Sequence, residues 1–242
     1  MALTTNPHNL THYSSQPSLL TPKLIKANMR ITTGIYRNRN LHVPRGIRPT
    51  QDKVRKAVFD ILGDIEGLNF LELFAGSGAV GFEALSRGAS GLTLVEFNRD
   101  SVLAIKRNIE MLNPPNCILY HLEAEKAIKL LSLDKRSFNI IFIDPPYIKR
   151  PAPRPSAEPG AGEGEITGSN EPVQGAGEDD PGRTPLKKIL QRLEAYDILS
   201  PYGLVVCQHS RLEQLPKDTL NLSLIKEAKY GDTWLSIFRK KE

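Results

Sequence analysis

Leu71-Glu72-Leu73-Phe74-Ala75-Gly76-Ser77-Gly78-Ala79-Val80-Gly81 is the stretch on which the fold turns. The apolar run Leu68 to Phe74 predicts a buried parallel strand, and the glycines after it predict a tight turn into a helix that ends near Arg87. Gly76 to Gly81 has the G-x-G-x-x-G spacing, in which absent side chains let backbone N–H groups approach a ligand at the positive end of a helix. That spacing alone does not choose the ligand. Two carboxylates narrow it: Glu72 lies at the end of the strand, and Glu96 closes the next strand, Leu92 to Glu96. A carboxylate at the end of the second strand of such a unit suits two ribose hydroxyls. One beside the first glycine repels a pyrophosphate and suits an ammonium group. A nucleoside joined to an amino acid meets both conditions, which favours S-adenosylmethionine over a dinucleotide.

Outward from this unit, helical and strand periods alternate. A helix is expected from about Asn98 to Leu112, a third strand over Cys117 to Leu122, a helix opening at Glu123-Ala124 and running through Lys129, and a fourth strand over Phe138 to Ile143. A helix from Leu186 through Leu199, a turn at Pro201-Tyr202-Gly203 and a fifth strand, Leu204 to Gln208, follow. Two last strands, Leu222 to Tyr230 and Thr233 to Phe238, read as an antiparallel pair around Gly231-Asp232. The expected class is α/β: a Rossmann-like, mostly parallel sheet with an antiparallel carboxyl-terminal edge. In that topology Phe74, Ala75, Gly76, Ser77 and Gly78 border the cofactor, with Glu72, Glu96 and Phe97. Glu123 and Ala124 lie where they would meet an adenine, or where Glu123 would simply cap its helix.

The fourth strand runs into Asp144-Pro145-Pro146-Tyr147. Open α/β sheets place their ligand crevice at the carboxyl ends of strands, so Asp144 falls there. Two prolines cannot continue a ladder and hold the backbone stiff, with its carbonyls exposed. An acceptor carboxylate, a fixed carbonyl at Pro145 and an aromatic ring at Tyr147 suit a planar base with an exocyclic amino group; a Pro-rich turn capped by Asp144 is the plainer alternative. Asp144, Pro145, Pro146 and Tyr147 are the candidate catalytic residues.

Charge points to the partner. The chain of 242 residues carries a formal +5, yet no Asp or Glu precedes Asp52, while Arg30, Arg37, Arg39, Arg45 and Arg48 fall in that stretch. A small β-hairpin with a turn at Gly34 is expected from Met29 to Val43, then a helix whose apolar positions are Val54, Ala57, Val58, Ile61 and Leu62, with Thr50 as its cap. Such a basic surface, extended by Lys53, Arg55 and Lys56, favours a polyanion, nucleic acid ahead of membrane. His8, His12 and His42 have no evident partner. Pro151 to Pro185 is different material: seven acids against two arginines, seven prolines and seven glycines, with Ile166 and Val173 its only large aliphatics. Its net charge of −5 leaves +10 for the remainder, and its composition predicts disorder. A lid, an acidic competitor for the nucleic-acid groove or a tolerated insertion would each fit there. Residues 1–28, acid-free and without an apolar core of a signal sequence, are expected to be disordered; an extension, a transit peptide or a start ahead of Met29 all fit. Cys117 and Cys207 lie far apart in apolar runs and read as reduced thiols, no metal spacing occurs, and no run is long enough to span a membrane. The expected division is 1–28 disordered, 29–66 a basic RNA-binding element, and 67–242 the catalytic domain interrupted at 151–185.

Met29-Arg30-Ile31 with Gly34 and Arg37, Arg48-Pro49-Thr50 with Asp52-Lys53-Val54-Arg55, Leu73-Phe74-Ala75-Gly76-Ser77-Gly78, Glu83-Ala84-Leu85-Ser86-Arg87-Gly88 and Asp144-Pro145-Pro146-Tyr147 together resemble the RsmD family of 16S ribosomal RNA guanine-N2 methyltransferases. The glycine loop and D-P-P-Y are shared with many amino-group methyltransferases; the R-P-T segment with the arginine-rich start is more specific. The resemblance runs from Met29 to about residue 240 apart from the insert. It implies S-adenosylmethionine as donor, one guanine of small-subunit RNA as target, and Arg30, Arg37, Arg39, Arg48, Thr50, Lys53 and Arg55 as RNA contacts, in a cytoplasmic monomer. Departures are the extension and the acidic insert. A DNA adenine or cytosine amino methyltransferase and a non-catalytic RNA-binding assembly factor on the same fold are the alternatives; the first lacks a target-recognition domain here, and the second should show a broken D-P-P-Y or glycine loop.

Overall fold

The computed structural model describes residues 24–25, 29–44, 52–146 and 184–242. Nine strands and five helices occur among them: β1 (Leu24–Ile25), β2 (Val43–Pro44), α1 (Asp52–Leu62), β3 (Asn69–Leu73), α2 (Ala79–Ser86), β4 (Gly91–Glu96), α3 (Arg99–Leu112), β5 (Cys117–His121), α4 (Ala124–Leu133), β6 (Phe138–Ile143), α5 (Pro185–Ala195), β7 (Leu199–Ser210), β8 (Leu222–Tyr230) and β9 (Thr233–Lys240). Seven strands form one sheet in the order β5-β4-β3-β6-β7-β9-β8, parallel from β5 to β7 and antiparallel at β9 and β8. This is the expected architecture. Its order reverses between β3 and β6, the switch point at which such sheets open a crevice beyond their carboxyl ends.

The central strands alternate sides while staying apolar on both, because helices cover both faces. Phe70, Phe142, Val206 and Ile237 face a core shared with α1, α2, α3 and the amino-terminal segment. Leu71, Leu73, Ile141, Ile143, Val205 and Cys207 face the core beneath α4 and α5. Glu72, Asp144 and Gln208, at even positions, therefore belong to the first face.

Three boundaries differ from the sequence reading. Leu24–Ile25 pairs with Val43–Pro44, so the amino-terminal stretch expected to be disordered contributes two residues of strand. Instead of a regular hairpin, residues 29–44 make one bridge, Arg30 to Asn40, and a turn at residues 33–38. The helix expected to run through Leu199 stops at Ala195, and Leu199 already pairs with Phe138; the chain then bulges, with Tyr202 at φ 59°, before Leu204 pairs with Ile140. A bulge lets one long strand absorb the Pro201-Tyr202-Gly203 turn.

The amino-terminal segment is clipped onto α2. Glu83, fully buried in α2, accepts hydrogen bonds from Thr32 N and Thr32 Oγ1, both at 2.8 Å, and from Arg87 Nε at 3.0 Å, while Arg55 Nε lies 3.9 Å away. Ser86 receives Ile35 N on its carbonyl and Tyr36 N on its hydroxyl, each at 2.9 Å. Asn108 of α3 takes His42 N at 2.7 Å and donates to the carbonyls of His42 and Ser77. Gly34 allows this approach: a Cβ there would stand 1.5 Å from the Ser86 carbonyl oxygen, and its φ is +81°. Gly34→Ala is therefore expected to cost about 1–3 kcal/mol, read by denaturant unfolding.

Candidate active site

The site is built by register. Leu73 pairs with Val95 and Ile143, and Ile143 with Cys207; one residue further along each strand stand Phe74, Glu96, Asp144 and Gln208. Four adjacent strands thus present, at one level, the glycine loop and three polar side chains along the crevice.

Phe74 leaves β3 with φ 59°, an uncommon conformation for an aromatic residue and a cost that strand ends at functional sites carry. Gly76 and Gly78 continue at φ 56° and 75°, and Gly78 occupies the cap position of α2 with no side-chain cap bond. A Cβ at Gly76 would meet nothing within 4 Å, so the loop is open on that side. At Gly78 it would strike the Phe82 ring at 2.7 Å. Ser77 is buried with its hydroxyl on Met29 Sδ at 3.5 Å, and Ala75 N is fixed to Val95 O at 3.0 Å. The loop is held rigid from below.

Glu96 braces it from the side, its Oε2 accepting Gly76 N at 2.7 Å and its Oε1 accepting Phe97 N at 2.8 Å and Asn98 N at 2.7 Å. It is half-buried, while Phe97 beside it is 65% exposed and tilted against His121 at 6.5 Å. An exposed phenyl ring at a crevice rim is a ready stacking surface. Glu123 makes no side-chain cap bond to α4; it pairs with Lys126 at 3.0 Å, and Ala124 behind it is buried. Glu123 thus holds the N-cap position of α4 with its carboxylate turned to Lys126 instead of the helix amides.

Glu72 departs from expectation. Its side chain is 3% exposed and its Oε2 accepts Gly81 N at 2.8 Å, beneath the loop, so it does not present a free carboxylate to an ammonium group. Gly81 permits this contact, since a Cβ would lie 2.7 Å from that oxygen. Burial drives its pKa up from 4.5 to about 8, opposed by the Gly81 bond and reinforced by the charges of Asp144 and Glu96. The folded chain then holds a proton that the unfolded chain releases between these values. Stability should fall as pH rises from about 4.5 to 8 and level off above. Glu72→Gln should flatten that slope in thermal melts from pH 5 to 9 and raise Tm at the alkaline end.

Asp144 is half-buried, and its Oδ2 accepts Gln208 Nε2 at 2.9 Å. Pro145 is buried and Pro146 exposed; Tyr147 lies outside the described residues. Gln208, which the sequence reading left as the last residue of a strand, is 6% exposed. Its signal was a polar residue ending the apolar run Leu204 to Cys207.

The basic residues separate into groups. Arg30, Arg37 and Arg39 are exposed, as are Lys53 and Lys56 on the outer face of α1. Arg37 and Arg39 belong to the turn docked on Ser86, the far end of α2 from the glycine loop, about 12 Å along an eight-residue helix. Arg55, expected to contact phosphate, is 1% exposed, its guanidinium donating to the Arg30 carbonyl at 2.8 Å and Asp52 at 2.9 Å; it is a core clip and not an RNA contact. Arg48 and Thr50 fall outside the described residues, as does most of the acidic insert. Among the described residues no helix is long and apolar enough to cross a membrane.

Known proteins resemble this chain in sequence and in fold. YlbH of Bacillus subtilis (strain 168) is 28% identical over 217 residues, covering 88% of this chain and all of that protein. Ribosomal RNA small subunit methyltransferase D of Escherichia coli (strain K12) is 39% identical over 122 residues, 49% of this chain and 60% of that enzyme. The solved structure of yhhF from Escherichia coli superposes with a TM-score of 0.66 at 25% identity, covering 89% of this chain and 99% of that one. The family model described as Conserved hypothetical protein 95 matches residues 29–154 of the 242, the amino-terminal segment, the glycine loop and D-P-P-Y included. The chain belongs to that family, the RsmD family its motifs resemble.

Proposed function

We propose that the protein transfers a methyl group from S-adenosylmethionine to the exocyclic N2 of a guanine in small-subunit ribosomal RNA. The observation that carries this reading is the placement of Asp144, on the stiff D-P-P turn, one strand away from a glycine loop whose open side has room for a ligand. The residues fit the donor. Glu96 stands where a ribose would be held, Phe97 offers a face to adenine, Glu123 and Ala124 close that side, and the loop from Phe74 to Gly78 takes the methionine end. Glu96 and Asp144, whose charges both reach the buried Glu72, make the surrounding acidic, which favours a cationic sulfonium over a pyrophosphate. When bound, the donor supplies an electrophilic methyl group.

The chain's own part is alignment. A guanine amine has its lone pair drawn into the ring and needs orientation more than a strong base. Asp144 and the Pro145 carbonyl accept its two N–H groups, turn the lone pair toward the donor, and Asp144 takes the proton released on transfer. Pro146 fixes the turn, and Tyr147 stacks on the extruded base, a contact worth about 1–3 kcal/mol. Ribosomal RNA small subunit methyltransferase D of Escherichia coli supports the choice of substrate class by its name.

Arg30, Arg37, Arg39 and Lys53, with Arg48 and Thr50, hold RNA phosphates. Because Arg37 and Arg39 sit at the far end of α2, the RNA must extend well beyond the target base. Replacing both by Ala should lower the salt slope of RNA binding by about 0.7–0.9 per lost contact and leave donor affinity unchanged. Titrations at several salt concentrations measure this.

The deciding experiment is tritium transfer from labelled S-adenosylmethionine to small-subunit RNA and particles from a methylation-deficient strain, with nucleoside analysis of the product. Label in N2-methylguanosine from one fragment is the expected result. Donor binding without transfer to any RNA would move the substrate to DNA or the role to binding alone.

A further inference from the structure

Gln208 is the polar group at the crevice whose hydrogen bonding is half complete. Its Nε2 donates to Asp144 Oδ2 at 2.9 Å, which leaves the amide oxygen as the end turned away from that carboxyl group. The other end, Oε1, is buried and has no hydrogen-bond partner among the described residues. A buried acceptor left bare carries a desolvation cost that native structures seldom tolerate without a use. The residue is 6% exposed and stands next to Asp144, on the neighbouring strand and the same sheet face.

We infer that Gln208 selects the base: its Oε1 accepts the N1–H of guanine while Asp144, which Gln208 positions, accepts the adjacent N2 amine. This rests on the reading of the protein as a guanine-N2 methyltransferase and adds the source of its base choice. Two acceptors side by side match guanine, whose amine lies next to a ring N–H. They reject adenine and cytosine, whose amines lie next to a bare ring nitrogen that would face Oε1 acceptor to acceptor. A site built to hydrogen-bond a donor turns away an analogue lacking it, because its own buried group is then left unpaired.

The test uses full-length protein and RNA transcripts carrying either guanine or 2-aminopurine at the position that the wild type methylates. 2-Aminopurine keeps the amine and has no N1 hydrogen. Wild type should prefer guanine by about 30-fold or more in kcat/KM, the scale of one hydrogen bond to a buried group. Gln208→Leu, close in size and without the polar atoms, should lose about 100-fold on guanine, mainly in kcat, and treat the two transcripts alike, with S-adenosylmethionine affinity unchanged. Gln208→Glu, which keeps an acceptor at the same reach but loses the amide donor to Asp144, should keep the preference for guanine while transferring more slowly than wild type. Equal rates of wild type on both transcripts, or a Leu variant that still discriminates, would overturn the assignment. No N2-methylguanosine from wild type on any RNA would instead remove the reading beneath it.

Discussion

Asp144→Ala is expected to lower methyl transfer by at least about 1,000-fold, within the range that a positioned acid–base group contributes, while S-adenosylmethionine binds as in the wild type. The asymmetry follows from where Asp144 stands. It follows the last residue of β6, whereas the loop proposed to hold the donor hangs between β3 and α2 and is braced by Glu96 and Val95. Alanine also strands Gln208, leaving a buried amide with neither end satisfied at a cost of about 1–3 kcal/mol in stability. Asp144→Asn separates the two effects. It keeps an acceptor for Gln208, so stability should hold, yet it lacks the negative charge that receives the amine's proton, and transfer should still fall about 100-fold. Single-turnover transfer and equilibrium donor binding, measured on the same preparations, check both variants. Activity within tenfold of wild type in the alanine variant would take the chemistry away from D-P-P-Y.

The second large effect lies far from the chemistry. Glu83→Ala is expected to destabilise the protein by about 3–5 kcal/mol, the range for removing one member of a buried ion pair. Glu83 is fully buried and joins three partners: Arg87 by a 3.0 Å salt bridge, Arg55 at 3.9 Å, and Thr32 through both its amide and its hydroxyl. Removing it leaves the fully buried Arg55, among the described residues, with Asp52 and the Arg30 carbonyl as partners, and frees Thr32. Glu83→Gln should lose less, because the amide oxygen still accepts from Thr32 or Arg87. Urea unfolding gives the stability, and proteolysis near Thr33 reports release of the amino-terminal segment. The segment carries Arg37 and Arg39, so RNA affinity should fall in the alanine variant even though Glu83 meets no RNA.

The strand–loop–helix unit, the parallel order and the antiparallel edge were legible in the sequence because buried strands and a glycine turn leave unambiguous local patterns. Glu96 at the end of β4 and Asp144 at the end of β6 were legible for the same reason: a carboxylate closing an apolar run has one place to go in this topology. What sequence patterns could not carry was the orientation of side chains decided by distant partners. Arg55 reads as one more cation in a basic stretch, and only the arrival of Glu83 and the Arg30 carbonyl turns it inward. Glu72 reads as a free carboxylate, and only the missing side chain at Gly81 draws it under the loop. Gln208 reads as a strand terminus until the register sets it beside Asp144.

The clip of residues 29–44 onto α2 and α3 bears on how the protein is born. Thr32 and His42 find their partners, Glu83 and Asn108, 51 and 66 residues later in the chain. At a synthesis rate of about 5–20 residues/s, the arginine-bearing segment leaves the ribosome and waits roughly 3–13 s before the helices that dock it exist. During that interval it is a loose polycation beside a ribosome made of RNA, free to bind without specificity, and the discrimination proposed for it as an RNA contact is acquired only once the domain beneath it has folded.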